Sequence, residues 1–128
     1  MNDVDTPQQA CPFCAVSDQR ALRAENEFAI AFFDLYPVSP GHTLITPRRH
    51  VANWFSCTRE EQIAVLDLAV ALQPDADGCN LGVNIGRAGG QTVGHVHLHL
   101  IPRHDGDVSD PRGGVRWVVP QHAVYWDL

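Results

Sequence analysis

Apolar and polar residues alternate most regularly at positions 95–101, His-Val-His-Leu-His-Leu-Ile. A period of two predicts a β-strand, with His95, His97 and His99 on one face and Val96, Leu98 and Leu100 on the other. The apolar and aromatic run Phe28 to Asp34 predicts a second strand, and His42 to Thr46 a third, with Pro37, Pro40 and Gly41 marking the turn between them. Thr58-Arg59-Glu60-Glu61 has the form of a capping box. Ile63, Leu66, Ala69 and Val70 then give the apolar stripe of a helix that Pro74 ends. A polar turn at Asp75 to Gly78 leads to a fourth strand, Asn80 to Ile85. Residues 104–114 are rich in Gly, Pro and Asp and predict a mobile loop, while Trp117, Tyr125 and Trp126 predict a packed tail over 115–128. Strands on both sides of one main helix, without βαβ alternation, indicate an α+β fold with an antiparallel sheet.

Composition narrows the possibilities. At 128 residues and 45% hydrophobic, the chain suits a single soluble domain spanning 1–128. The formal net charge of −6 argues against broad nucleic-acid binding, so no nucleic-acid partner is expected. The acidic start Met1-Asn2-Asp3-Val4-Asp5 lacks a targeting signal, and no apolar run approaches membrane-spanning length. A cytoplasmic protein without a membrane partner is expected. All nine basic residues are arginine, which excludes Schiff-base lysine chemistry and a Walker A loop.

Three histidines on one strand face contribute little to packing and point to a metal site or to nucleophilic and acid–base chemistry. His95 and His99 would lie roughly 13 Å apart on a straight strand, too far for both to reach one ion, so at least one histidine is free for chemistry. Just upstream, residues 84–94 contain Gly86, Gly89, Gly90 and Gly94 with Asn84, Arg87, Gln91 and Thr92. Such a loop can turn N–H groups toward a phosphate. An acidic chain binding an anion needs local positive character, expected from Arg87, Arg103, backbone N–H groups and the histidines. Cys11-Pro12-Phe13-Cys14 suggests metal or redox chemistry. The isolated Cys57 and Cys79 are expected to be small buried hydrophobes. His104 and His122 are expected at the surface.

Gly-Gln-Thr-Val-Gly-His-Val-His-Leu-His-Leu-Ile-Pro-Arg (90–103) resembles the signature of the histidine triad (HIT) superfamily, and Phe33 to His50 resembles its upstream segment. The resemblance runs from about Cys11 to the chain end. It implies an antiparallel sheet with one main helix and a shorter N-terminal helical segment, usually paired into a homodimer. It implies that His97 attacks the α-phosphorus of an AMP-linked purine nucleotide and forms a nucleotidyl-histidine. His99 would then contact phosphate, with His42 completing the site. Gln91 and Thr92 would position the leaving group, and Asn84 a phosphate. Asp34 would grip the ribose, and Phe13, Phe32 and Leu35 would enclose the base. In relatives with a Cys-x-x-Cys pair, the resemblance implies a structural zinc held by Cys11, Cys14, His50 and His95. Dinucleoside polyphosphates, nucleoside phosphoramidates and adenylyl sulfate are all candidate substrates. A nucleotide-binding signalling module, or a nucleotidyltransferase to an acceptor other than water, are the rival functions. Asp110 to Trp117 resembles a tail of bacterial family members, whose Arg112 and Arg116 would either reach phosphates or be solvated. Gly94 stands where relatives often carry a larger side chain, and Thr92 where one branch has serine.

Overall fold

In the computed structural model of the protein, residues 1–127 are described, so Leu128, the last residue of the expected tail, lies outside them. β2 (Ala29–Phe33) pairs antiparallel with β3 (Thr43–Pro47) over five registered residues. Between them Gly41 adopts a φ of 88°, a left-handed value that a side chain would disfavour. β3 pairs in turn with β5 (Leu98–Arg103), and β5 with β4 (Gly78–Val83). A two-residue strand, β1 (Ala24–Glu25), extends the other edge and completes an antiparallel order of β1-β2-β3-β5-β4. The α+β expectation therefore holds, with β1 added; two residues carry too little periodicity to be seen in sequence.

The two faces of this sheet are covered differently. Ala29, Ala31, Ile45 and Leu98 pack against α2 (Arg59–Ala71) through its Ala64, Val65, Leu68 and Ala69. Ile30, Phe32 and Leu44 on the opposite face pack against Val16 of α1 (Val16–Gln19), flanked by Phe13 and Leu22. The short 3₁₀ turn Gly114–Val118 contacts β4. The N-terminal segment, the C-terminal segment and the sheet between them shape the site.

α2 begins as its sequence indicates. Thr58 Oγ1 accepts from the Glu61 N–H at 3.1 Å, and Glu61 Oε1 accepts from the Thr58 N–H at 2.8 Å. Its buried face differs from the expected stripe. Glu61, Ala64, Val65, Leu68 and Ala69 are buried, whereas Ile63, Leu66 and Val70 are exposed; only Ala69 belongs to both sets. Small residues face the sheet because alanines at 29 and 31 let the helix approach closely, and burial of Glu61 is compensated by a two-pronged contact from Arg49 at 2.8 and 3.0 Å.

Strand boundaries shift by one to three residues. The most consequential shift is that pairing of the histidine strand begins at Leu98, not His95. The Val96 N–H instead donates to the Val51 carbonyl, and a bend at 93–95 turns His95 away. Cys79 is exposed on edge strand β4 and Cys57 only part-buried, so neither is the buried hydrophobe expected from its isolation; all four cysteines are free thiols. No helix among the described residues is long and apolar enough to cross a membrane.

Candidate active site and metal centre

The bend before β5 divides the three histidines between two sites. His95 is buried against the Cys-x-x-Cys segment, with its Nδ1 at 3.4 Å from Cys11 Sγ and 3.5 Å from Cys14 Sγ. His50 Nδ1 lies 3.2 Å from Cys14 Sγ. Both rings are oriented from behind: His95 Nε2 donates to the Pro47 carbonyl at 2.8 Å and His50 Nε2 to the Thr6 carbonyl at 2.7 Å. A carbonyl only accepts, so each Nε2 carries the proton and each Nδ1 offers a lone pair toward the sulfurs. That is the back-side bonding typical of metal-bound histidine. An ion with bonds of about 2.3 Å to sulfur and 2.0–2.1 Å to nitrogen, arranged tetrahedrally, sets its S···N edges near 3.5 Å. The four ligand atoms lie within 4.8 Å of one another and fit such an ion. Burial, then the neighbouring Cys11, pushes the Cys14 thiol up to about 11, so this thiol resists ionisation unless a cation joins it.

Thr6 ties this cluster to the glycine loop. Its carbonyl accepts from His50, and its hydroxyl accepts from the Gly94 N–H at 2.7 Å. The Asn2 carbonyl accepts from the Arg87 N–H at 2.9 Å, and Asp3 accepts from Asn53 at 2.9 Å. The N-terminal residues thus form a strap across loop 86–94. It passes so close that a Cβ on Gly94 would sit 2.3 Å from the Val4 carbonyl oxygen and 2.7 Å from the Thr6 nitrogen. The small residue before the histidines is therefore required by the strap.

His97 and His99 form the second site with His42 and Asp34. His97 Nδ1 donates to the His95 carbonyl at 2.9 Å, which fixes the tautomer and leaves Nε2 with a free lone pair. His42 Nδ1 accepts from the Val38 N–H at 3.1 Å, so Nε2 carries its proton and faces His99 Nδ1 at 2.9 Å and Asp34 Oδ2 at 3.5 Å. With Nδ1 accepting, the His99 proton resides on Nε2. Burial is the main cause holding all three imidazoles neutral: it lowers His97 and His42 and brings His99 to about 4, with the charges of His97 and His42 adding to the His99 shift. Two separate sets of hydrogen bonds, His97 to the His95 carbonyl and His42 to His99, therefore present a neutral nucleophile beside an N–H donor, the pair that attack on phosphorus requires.

A cavity of about 330 Å³ opens onto His97 and His99 and is lined also by Phe13, Asp34, Leu35, Asn84 and Thr92. Phe13 lies edge-on to His97, ring centroids 4.9 Å apart. Two expected site residues lie elsewhere. Phe32 is fully buried in the core behind Phe13, at 5.5 Å, because the inward-facing register of β2 places it under the cavity rather than on its wall. The Gln91 carboxamide is buried and accepts from the Gly86 N–H while donating to the Ala52 and Val93 carbonyls, so it locks the glycine loop and both of its N–H donors are taken. Asp34 Oδ1 caps the Tyr36 N–H at 2.9 Å, and Oδ2 remains for a ligand or His42. Arg103 is held by Asp107 and Asn80, and Arg87 is exposed; neither lines the cavity beside His97. Arg112 pairs with Asp110 and lies over Trp126, and Arg116 bonds the His122 and Ala123 carbonyls; both hold the tail together. The arginine on the cavity wall is Arg20, which donates to the Phe33 carbonyl at 2.9 Å and lies over the Phe32 ring. Its position follows α1 and has no motif of its own in the sequence. His104 and His122 are exposed.

A profile described as the HIT domain matches residues 18–106, well over half of the chain. The chain belongs to the HIT domain family. It is similar to a zinc-bound histidine triad family protein from Mycobacterium smegmatis (32% identity, TM-score 0.70, covering 79% of this chain and 80% of the other). It is also similar to a hypothetical histidine triad nucleotide-binding protein from Sulfolobus tokodaii strain7 (32%, 0.66, 75% and 70%). A HIT family hydrolase from Legionella pneumophila matches as well (32%, 0.59, 71% and 90%). The HIT chain thus shares its fold with proteins described as nucleotide-binding, hydrolytic and zinc-bound.

Proposed function

We propose that the protein hydrolyses AMP-linked nucleotides at the α-phosphate through a nucleotidyl-His97 intermediate. The observation that carries this reading is the hydrogen bond from His97 Nδ1 to the His95 carbonyl, which leaves a neutral Nε2 lone pair on a nucleotide-sized cavity. In the first step the Nε2 lone pair forms a bond to phosphorus. The bond from phosphorus to the leaving group breaks, and the leaving group departs with that electron pair and takes up a proton. In the second, water adds to phosphorus, the P–N bond breaks, and its proton passes to solvent, giving AMP and neutral His97. His99 Nε2–H donates to a phosphoryl oxygen, and Asn84 and Thr92 hold the phosphate. Phe13 and Leu35 flank a purine, and Asp34 Oδ2 accepts from the ribose.

Cys11, Cys14, His50 and His95 would hold a closed structural zinc that pins the N-terminal segment beside the nucleophile. With no open coordination position, the ion supplies stability and takes no part in the chemical step. A homodimer accounts for two exposed features: Ile63, Leu66 and Val70 on α2, and the unpaired edge of β4. The reduced cysteines suit a cytoplasmic setting.

The test is His97→Ala. Turnover of an adenosine phosphoramidate should fall by at least roughly 10³-fold while AMP binding survives, and acid-quenched wild type should carry a nucleotidyl adduct on residue 97. A near-normal kcat in the variant would overturn the assignment.

A further inference from the structure

The orientation of His97 rests on one carbonyl. Its Nδ1 donates to the His95 carbonyl at 2.9 Å, so whatever aims that carbonyl also aims Nε2 at the cavity. The residue before His95 is Gly94, and glycine leaves the backbone its greatest rotational freedom. The joint just ahead of the nucleophile would be the loosest in the segment if nothing held it.

Three hydrogen bonds hold it. The Val93 carbonyl accepts from Gln91 Nε2 at 2.9 Å, the Gly94 N–H donates to Thr6 Oγ1 at 2.7 Å, and the Val96 N–H donates to the Val51 carbonyl at 2.8 Å. The first two fix the peptide that enters Gly94. The third fixes the peptide whose carbonyl is that of His95. Of these partners, Thr6 alone reaches the bend from the N-terminal strap. Gly94 is buried, and Thr6 Oγ1 is the one partner of its N–H among the described residues, so loss of the hydroxyl strands a donor away from water. The missing side chain is what lets Thr6 come so near: a Cβ on Gly94 would lie 2.7 Å from the Thr6 nitrogen and 3.1 Å from Oγ1. Gly94 admits the clamp, and the clamp removes the freedom that glycine brings.

Resting on the hydrolase reading above, we propose that Thr6 is a positioning residue for the reaction. Its hydroxyl, acting through the Gly94 and His95 peptides, holds the carbonyl that sets the His97 tautomer and the direction of Nε2. Without that hold, Nδ1–H loses its fixed acceptor and the proton redistributes between the two ring nitrogens. A ring protonated at Nε2 has no lone pair there to offer phosphorus.

Thr6→Val removes the hydroxyl at nearly constant volume and keeps the backbone carbonyl that accepts from His50. The measurement is kcat and KM of the full chain on an adenosine phosphoramidate, well below the Tm of the variant. Metal content and the nitrogen chemical shifts of the His97 ring are read on the same samples. Thr6→Val should lower kcat by roughly ten- to a hundred-fold, the scale of a misplaced reacting group. KM should stay nearly unchanged, because the hydroxyl touches no substrate. The His97 shifts should pass from a single Nδ1–H tautomer to a mixture, with metal content equal to that of wild type. Thr6→Ser, which restores an acceptor, should recover most of kcat and the single tautomer. Thr6→Ala removes the same hydroxyl and serves if Thr6→Val does not fold. A folded variant with wild-type kcat, a loss that Thr6→Ser does not rescue, an unchanged His97 tautomer, or loss of metal from Thr6→Val would overturn the role of Thr6 while leaving the hydrolase reading intact. A wild type that cleaves no adenosine phosphoramidate would overturn the hydrolase reading itself, and the positioning role with it.

Discussion

Gly94→Ala isolates the role of the N-terminal strap. Gly94 needs no special backbone conformation, so a methyl group meets only one obstacle: Val4 O at 2.3 Å and Thr6 N at 2.7 Å. Both are backbone atoms, so relief requires the strap to move. Displacement breaks the Gly94–Thr6 bond and strains the contacts of Thr6 with His50, Asp3 with Asn53, and Asn2 with Arg87. At about 1 kcal/mol net for each hydrogen bond, loss of two or three costs about 2–3 kcal/mol. For a chain of this size that lowers Tm by roughly 6–15 °C. Calorimetry at fixed zinc concentration reads the shift, and hydrogen exchange should show the Gly94 and Arg87 amides deprotected first. Gly82→Ala is the control, with an open Cβ position and an expected change within about 0.5 kcal/mol. A Gly94→Ala protein that melts within about 1 °C of wild type, with the Gly94 amide still protected, would show that the strap yields freely.

Three further outcomes follow from the site. Protein purified without chelator should contain one zinc per chain by elemental analysis, and chelation should lower Tm more than it alters the single-turnover rate; absence of stoichiometric metal would refute the centre. Burial, with the neighbouring histidines, holds His99 near 4 against an unfolded value near 6.5, so the unfolded state binds the extra proton between those values. The stability due to neutral His99 is therefore complete above about pH 6.5 and declines as pH falls toward 4. The slope of Tm against pH in that window should be shallower in His99→Phe, and an identical slope would contradict the assignment. Ribonucleotides should bind better than 2′-deoxy analogues by roughly ten-fold, because a site built to bond a hydroxyl penalises its loss. Asp34→Ala should erase the difference, whereas equal wild-type affinities would leave Asp34 only its turn-capping bond to Tyr36.

Local signals determined much of the protein from sequence. The capping box sets where α2 begins because its bonds join residues three apart. The Cys-x-x-Cys spacing and the alternating histidines named the groups that the fold gathers into a Cys/His cluster and a histidine pair. Tertiary structure decided what each group faces. His95 turns to the cysteines because Val96 pairs with Val51 instead of continuing the ladder, and strand periodicity holds no record of that long-range bond. The buried face of α2 was set by the alanines of the opposing sheet, a property of the partner surface. Gln91 and the four arginines at 87, 103, 112 and 116 were candidates for the ligand by residue type. Three-dimensional packing committed Gln91, Arg103, Arg112 and Arg116 to carbonyls, amides and carboxylates and left Arg87 exposed, while placing Arg20 on the cavity wall. A donor's chemistry is written in its side chain, but its partner is fixed only when distant segments meet.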